Sequence, residues 1–347
     1  MSVSQPAACD RPATSNIAKC PVPNCPACRS SKRRRRTTVC EHEYTTSTDD
    51  PFPLMECLDC GAWYLDPRPD VSALDVIYPP NYYTYVLESK SRGDIELARR
   101  GLFSRLASRL FRQRIRPIAK YMKFTPDKTW LDIGCGNGAV LDSMRAEFGI
   151  VGTGIDFSEA AAQHCRRRGF AAHACRFEDF SPAAGETYDL LHSSHVIEHV
   201  ESPLDYMRKA FELTKPGGLN VFITPNTATW EARLFGRHWG GLHVPRHWTL
   251  LNPQSAKRLG QRAGFEHLET CFSTNGTFWT WTFHSLSRPL LGQRVSDALF
   301  PADHRFIESN PWNIARIGAF TLVDMLNTAV LRQSSNMLCI FRRPEAS

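Results

Sequence analysis

Apolar and polar positions divide the chain into stretches of different texture. Over Ile95–Tyr121, apolar residues recur at Leu97, Leu102, Leu106, Leu110, Ile115 and Ile118, a spacing that predicts one or two helices with basic outer faces. From Lys128 the texture changes. Thr129–Ile133 is a short apolar run, Gly134-Cys135-Gly136-Asn137-Gly138 follows, and helical spacing resumes over Ala139–Met144. This predicts strand, glycine turn and helix. A second strand, Val151–Asp156, ends in an acid. Ahead of this unit, Ala62–Tyr85 carries Asp66-Pro67-Arg68-Pro69 and Tyr78-Pro79-Pro80-Asn81-Tyr82-Tyr83. Proline pairs bar regular structure, so a linker or an aromatic-lined loop is expected there. Two late stretches, Thr277–Leu291 and Ile314–Leu331, are apolar. Core packing is the default expectation for them, with a lid, a dimer face or a lipid contact as alternatives.

Length and charge narrow this picture. The 347 residues suggest one large domain with a small companion, or two domains, and 42% hydrophobic residues argue for a globular chain. The net charge of +7 is modest and local. One basic block is Lys32-Arg33-Arg34-Arg35-Arg36, and a second lies between Lys90 and Lys123. Such blocks attract phosphates, but a solvated loop and a solvated helix face are the expected readings. No uninterrupted apolar run reaches the length of a bilayer span, since Ile317–Leu331 contains Asp324 and Asn327. Met1–Ala18 lacks an apolar signal core. No membrane span and a cytoplasmic location are therefore expected.

Cysteine usage marks the small companion. Seven of the twelve cysteines fall in the first sixty residues, and four of them form Cys25-Pro-Ala-Cys28 and Cys57-Leu-Asp-Cys60. Two residues between thiolates let a tight turn aim both sulfurs at one ion, and two such turns complete a tetrahedral zinc site. The long connection from Cys28 to Cys57 implies an inserted hairpin or loop carrying the arginine block. Cys20 and Cys40 are substitute ligands. Disulfides are the competing reading, disfavoured by the reducing cytosol.

The glycine turn and the acid form a second unit with chemistry. Glycines at alternate positions let backbone approach a ligand, and the helix N-terminus behind them offers free N–H groups. Asp156 lies 18 residues beyond Gly138, at the end of the second strand, where a carboxylate can accept both hydroxyls of a ribose.

Leu131-Asp132-Ile133-Gly134-Cys135-Gly136-Asn137-Gly138 resembles the first motif of class I S-adenosylmethionine-dependent methyltransferases, and Asp156 matches that family's ribose-binding acid. Later pieces follow in the family's order. They are a third strand over Phe170–Cys175, Arg176-Phe177-Glu178-Asp179 beside the adenine, and Tyr188–Val200 as the fourth-strand motif. Then come a helix over Pro203–Leu213, Lys215-Pro216-Gly217-Gly218, a strand over Leu219–Thr224, a helix over Pro253–Ala263, and strands over Glu266–Phe272 and Met337–Phe341. The N-terminal cysteine pairs, Asp66–Pro69 and the paired tyrosines are similar to a subgroup with a zinc ribbon ahead of the methyltransferase domain.

The resemblance implies an α/β fold, a Rossmann-like seven-stranded methyltransferase sheet with helices on both faces and an antiparallel last strand, plus a small N-terminal zinc ribbon. It implies a disordered tail at 1–19, a zinc-ribbon-like segment at 20–70, a linker and basic helices at 71–124, and a methyltransferase domain at 125–347 with inserts near 227–250 and 274–335. S-adenosylmethionine would be held by Asp132, Gly134, Gly136, Gly138, Asp156, Phe177, Glu178 and Ser194, and a structural zinc by Cys25, Cys28, Cys57 and Cys60. Arg176 stands where the family often has an acid for the adenine amine. Tyr78–Tyr82 is read as a decoy of a later family signature, because it precedes the first strand.

Transfer to a hydroxyl needs an aligned nucleophile and a base. His195, Glu198 and His199 fall at the end of the fourth strand, and His199, with His195 or Glu198, is the expected base. Their spacing also resembles a metal-binding pattern of some methyltransferases, with His247 as a distant ligand and His195 in place of an acid. A second divalent metal at His195, Glu198, His199 and His247 is therefore an alternative to a metal-free site. The dense Trp230–Trp248 insert would cover a small-molecule or sugar-like acceptor. Two competing expectations are an RNA methyltransferase gripping phosphates with the ribbon and arginine block, and a non-catalytic cofactor-binding module. The oligomeric state is open.

Overall fold

The computed structural model describes residues 17–44, 46–82, 112, 115–303 and 311–345. Most of the expected tail, and the basic helices between 83 and 111, lie outside the described residues.

The N-terminal part builds strands β1 (Lys19–Cys20), β2 (Arg33–Val39), β3 (Phe52–Cys57), β4 (Trp63–Leu65) and β5 (Arg68–Pro69). The hairpin expected between the cysteine pairs is the antiparallel β2–β3 pair. The arginine block is not a solvated loop. Arg33–Arg36 lie on β2, where Arg33 pairs with Asp66 and Arg34 and Arg36 both pair with Glu56.

The second part alternates strand and helix: β6 (Trp130–Ile133), α1 (Ala139–Phe148), β7 (Thr153–Asp156), α2 (Glu159–Arg167), β8 (Ala171–Ala174), β9 (Tyr188–Ser194), α3 (Pro203–Leu213) and β10 (Thr214–Pro225). Local chemistry sets the helix starts. Ser158 and Ser202 each accept a backbone N–H from the first turn of α2 and α3, and Pro203 sits at the first position of α3, where its missing N–H costs nothing. After β10 come α4 (Trp230–Phe235), β11 (Thr249–Leu250), α5 (Pro253–Arg262), β12 (Glu266–Ser273), α6 (Gly276–Leu291), α7 (Gln293–Leu299), α8 (Pro311–Leu326) and β13 (Asn336–Arg342).

The seven-stranded sheet has the order β12-β13-β10-β9-β6-β7-β8. Pairing is parallel from β10 to β8, and β13 runs antiparallel to both neighbours, as expected. The fold is Rossmann-like. The chain steps outward from β6 to β8, then returns to the other side of β6 with β9. A crevice opens at the carboxyl ends of β6 and β9, where strand order reverses.

The N-terminal module is not a separate bead. Its sheet has the order β11-β4-β3-β2, so residues 249–250 of the second part complete it, with Thr249 opposite Tyr64 and Leu250 opposite Trp63. Cys25, Cys57 and Cys60 share one core cluster with Leu204, Leu251 and Phe341. The described part of the expected linker or aromatic-lined loop, residues 62–82, is tied to the rest for the same reason. Lys19 and Cys20 pair with Pro69 and Arg68, Arg68 reaches Glu201 at 2.7 Å, and Asp66 accepts from Val22 N at 2.7 Å. Prolines are tolerated here because these are two-residue edge strands.

The two apolar inserts form α6 and α8. Asp324 of α8 is buried and accepts from Trp279 Nε1 at 2.7 Å and Asn275 N at 2.6 Å, which docks α8 on α6. Pro311–Leu331, which includes the turn after α8, is long and apolar enough to cross a membrane by length and composition.

Candidate active site

The glycine turn folds back on the second strand. Gly134 N and Cys135 N donate to Ile155 O at 2.7 and 2.9 Å, and Gly136 N donates to Asp156 Oδ2 at 2.8 Å. Ser158 N donates to Asp156 Oδ1 at 3.0 Å. Gly134 and Gly136 have φ of 72° and 50°, a region that L side chains rarely enter. A Cβ at Gly134 would stand 2.5 Å from Val196 Cγ2, whereas one at Gly136 would meet nothing, because that backbone borders open space. The space is a cleft of about 530 Å³, within the range of small-ligand sites.

Asp156 lines this cleft and is 8% exposed. Burial pushes its pKa up, and the amides of Ser158 and Gly136 oppose that push. Each oxygen uses one lone pair on an amide and retains another for a ligand. Phe177, Glu178 and Ser194 also line the cleft. Arg176 is there too, but its guanidinium is held by Glu201 at 3.1 Å and Glu178 at 3.5 Å. Two expected cofactor residues sit elsewhere. Asp132 is buried under the sheet's end with its carboxylate 2.7 Å from His192 Nδ1. Gly138 caps the start of α1, where a Cβ would lie 2.9 Å from Cys165 Sγ.

His195, Glu198 and His199 follow β9, and the structure gives them different positions. His195 lines the cleft in a left-handed conformation, φ 57°, with Nδ1 2.9 Å from Glu198 Oε1. Glu198 is fully buried and does not reach the cleft; its Oε2 accepts from Thr224 Oγ1 at 3.0 Å. Burial raises the Glu198 pKa, but the His195 hydrogen bond and the neighbouring histidines outweigh it and bring it down to about 2. His199 lines the cleft, and its Nδ1 meets Arg246 O at 3.0 Å and Tyr78 Oη at 2.9 Å. His247 Nδ1 meets Gly241 O at 2.9 Å, with Nε2 3.9 Å from Glu198 Oε1. Burial lowers the pKa of both imidazoles.

Glu198, His199 and His247 bring one ligand atom each to within 4.8 Å of one another. Their donor set suits a divalent ion. A backbone carbonyl takes the Nδ1 proton of each histidine, which leaves Nε2 as the lone-pair nitrogen. His195 stands outside that trio as a partner of Glu198. The cleft is also lined by Val71, Leu74, Tyr78 and Tyr82, with Trp248. Tyr78 and Tyr82, set aside in the sequence as a decoy, thus border the same cleft as Asp156 and His195. The paired prolines describe the backbone there and carry no signal of where the rings point.

The four cysteines form a second centre. Cys25 Sγ lies 3.6 Å from Cys60 Sγ, Cys28 Sγ lies 3.5 Å from Cys57 Sγ, and all four sulfurs fall within 4.8 Å of one another as free thiols. Sulfurs about 2.3 Å from a tetrahedral zinc stand about 3.8 Å apart. Backbone amides of Ser30, Asp59, Cys60 and Ala62 are directed at the sulfurs, as thiolates require.

Residues 102–270 match a family model described as a methyltransferase domain. A protein named ubiquinone biosynthesis O-methyltransferase from Parvibaculum lavamentivorans is 34% identical over 114 residues, which are 31% of this chain and 44% of that protein. Its namesake from Ruegeria pomeroyi is 30% identical over 164 residues, 44% of this chain and 66% of that protein. The chain thus spans from under half to about two thirds of these relatives' lengths. Among solved structures, the [4+2]-cyclase SpnF superposes with a TM-score of 0.47 at 16% identity, covering 80% of this chain and 98% of that one. The N-methyltransferase NodS from Bradyrhizobium japonicum, in complex with S-adenosyl-L-homocysteine, does so with a TM-score of 0.40 at 16% identity, covering 76% and 100%.

Proposed function

We propose that this chain, whose middle half matches a methyltransferase domain, is an S-adenosylmethionine-dependent methyltransferase acting on a hydroxyl of a small-molecule acceptor. The observation that carries the reading is one cleft with Asp156 and the Gly136 backbone on one side and His195 on another. When bound, the cofactor supplies an electrophilic methyl on a good leaving group. The protein's own tasks are then to orient the acceptor and take its proton. Asp156 accepts from the ribose hydroxyls, the Gly134–Gly136 backbone flanks the methionine portion, and Phe177 and Glu178 border the adenine. His195, turned into the cleft, receives the hydroxyl proton at Nε2. The buried Glu198 carboxylate fixes its Nδ1–H tautomer and balances the imidazolium that forms.

A metal held behind His199, beside the cleft, is a second reading, favoured by the convergence of Glu198, His199 and His247. The residues would hold a divalent ion, which would lower the pKa of a bound hydroxyl. A zinc at Cys25, Cys28, Cys57 and Cys60 is structural in this proposal, since four thiolates leave no open position. The relatives' names speak of O-methylation and support an oxygen acceptor. The RNA alternative is weakened, because the arginine block that would grip phosphates is paired with Asp66 and Glu56.

Calorimetric titration with S-adenosylmethionine tests the reading, with Asp156→Ala as control. Binding by the native chain and a loss of roughly tenfold or more in the variant are expected. No binding by the native chain overturns the proposal. A labelled-methyl screen of hydroxylated metabolites, run with and without chelator, then separates the two versions of the site. Turnover that survives removal of all but the cysteine-bound ion favours His195 alone.

A further inference from the structure

The segment Pro311–Leu331 is turned inside out relative to a water-facing helix. Its fully buried residues are polar: Asn313, Arg316 and Asp324. Arg316 donates to Leu299 O at 2.8 Å, and Asp324 is held by Trp279 and Asn275. Every exposed residue of the segment is apolar. Trp312, Ile314, Leu322, Met325, Leu326 and Val330 are each more than half exposed. A water-facing helix shows the opposite division. The face extends beyond α8. Trp312 Nε1 donates to Leu299 O at 3.2 Å, which joins it to α7. Trp230 Nε1 donates to Asn327 Oδ1 at 3.3 Å, which joins it to α4 and its 67%-exposed Leu234.

Among the described residues on these elements and at their ends, the exposed charges are arginines. Arg233, Arg237, Arg294 and Arg332 are exposed on the same elements or just beyond them. Of the acids on α4, α7 and α8, Glu231 and Asp324 are buried, and Asp297 accepts from Gln293 at 3.0 Å.

We propose that this apolar face, rimmed by arginines, docks the protein on the surface of an anionic lipid bilayer. The side chains of α8 would enter the acyl boundary while the rim meets lipid phosphates. With a rise of 1.5 Å per residue, the 21-residue segment lays about 32 Å of apolar surface in the plane. Trp312 and Trp230, near its two ends, have the amphipathic rings that favour the interface. Crossing the bilayer would strip Arg316, Asp324 and Asn313 of the partners that bury them. Pairing with a second copy would bring two arginine rims together. An anionic surface suffers neither cost. The inference does not depend on the methyltransferase reading.

The test is sedimentation of the full chain with phosphatidylcholine vesicles, with and without phosphatidylglycerol. Binding to the anionic vesicles is expected, weakened about tenfold or more by high salt. Leu322→Glu with Leu326→Glu should weaken it by about a hundredfold or more with an unchanged thermal melt. If that variant melts differently, Arg294→Glu with Arg332→Glu replaces it and should reduce binding to anionic vesicles only. No binding by the native chain, or binding that neither variant weakens, overturns the proposal. So does a dimer in sedimentation velocity that the leucine variant dissociates, which gives the face to a second copy. Retention in vesicles after an alkaline carbonate wash assigns the helix as a span and overturns it as well.

Discussion

His195 reaches the cleft because β9 ends one residue before it and the chain turns left-handed there, anchored by His195 N donating to Ile223 O at 2.9 Å. That turn brings His195 Nδ1 to 2.9 Å from Glu198 Oε1 with the ring at the cleft, the arrangement that the proposed base requires. His195→Ala should lower kcat by about a hundred- to ten-thousand-fold while leaving cofactor affinity unchanged in calorimetry. A parallel loss of both would mean that the residue only holds the loop. Tyr78→Phe removes the hydroxyl that meets His199 Nδ1, and a rise in KM for the acceptor with little change in kcat is expected from steady-state kinetics. The buried groups also set a pH dependence. His199 and His247 have folded pKa values below their unfolded ones, so the unfolded chain binds more protons below about pH 6.5. Glu198, at about 2 against 4.5 unfolded, adds the same sign at lower pH. The contribution of these three groups is therefore level above pH 7 and is lost as pH drops through 6.5 and again below 4.5. A bound cation would compete with the same protons, so the direction stands with or without it. Thermal melts across pH check this, and a melting temperature that rises on acidification would contradict it.

Among the elements, the two cysteine turns carry the sharpest expectation. Their buried sulfurs stand at separations a tetrahedral ion accepts. The purified chain should hold zinc near one equivalent by atomic absorption, and Cys57→Ser should lose it and melt at a markedly lower temperature. A full-length, zinc-free chain with a native melt would remove the assignment. The cysteine spacing and the strand–glycine–helix–strand–acid order of 129–156 were legible because each is a local pattern with one physical solution. The fourth-strand motif over 188–200, the helix over 203–213 and the strand over 337–341 were legible through the family resemblance, and the structure has elements there. The join between modules was not. Strand β11 is only two residues long and pairs with Tyr64 and Trp63, far away along the chain; two residues show no periodicity. The apolar character of α8 was legible but read by default as core. Hydropathy reports how apolar a segment is, and only packing decides which face water sees. The partner of Asp132 was not legible either: its place before the glycine turn suggested the ligand, and its carboxylate lies 2.7 Å from His192 Nδ1.

At the scale of the molecule, the ribbon is part of the cleft's construction. It continues directly into Val71, Leu74, Tyr78 and Tyr82 on the cleft wall. Arg246, fully buried beside His247, reaches back to Glu41 Oε2 at 2.6 Å and to Ile77 O at 2.9 Å. The same residue thus ties the ribbon, Ile77 beside the cleft and the loop that carries His247. A buried cation whose partners are deleted is costly, about 3–5 kcal/mol. Glu41→Gln should accordingly lower the stability of the catalytic sheet as well as of the ribbon. Two loosely linked domains would melt in two steps and feel the substitution in one. A chain that shares a sheet, a core cluster and a buried ion pair across its parts should melt once. Differential scanning calorimetry decides between these. A single transition that moves down as a unit in Glu41→Gln supports the shared construction. A split trace, with the cofactor-stabilised transition unmoved by the substitution, would show that the ribbon is an appendage and that the tyrosine wall stands without it.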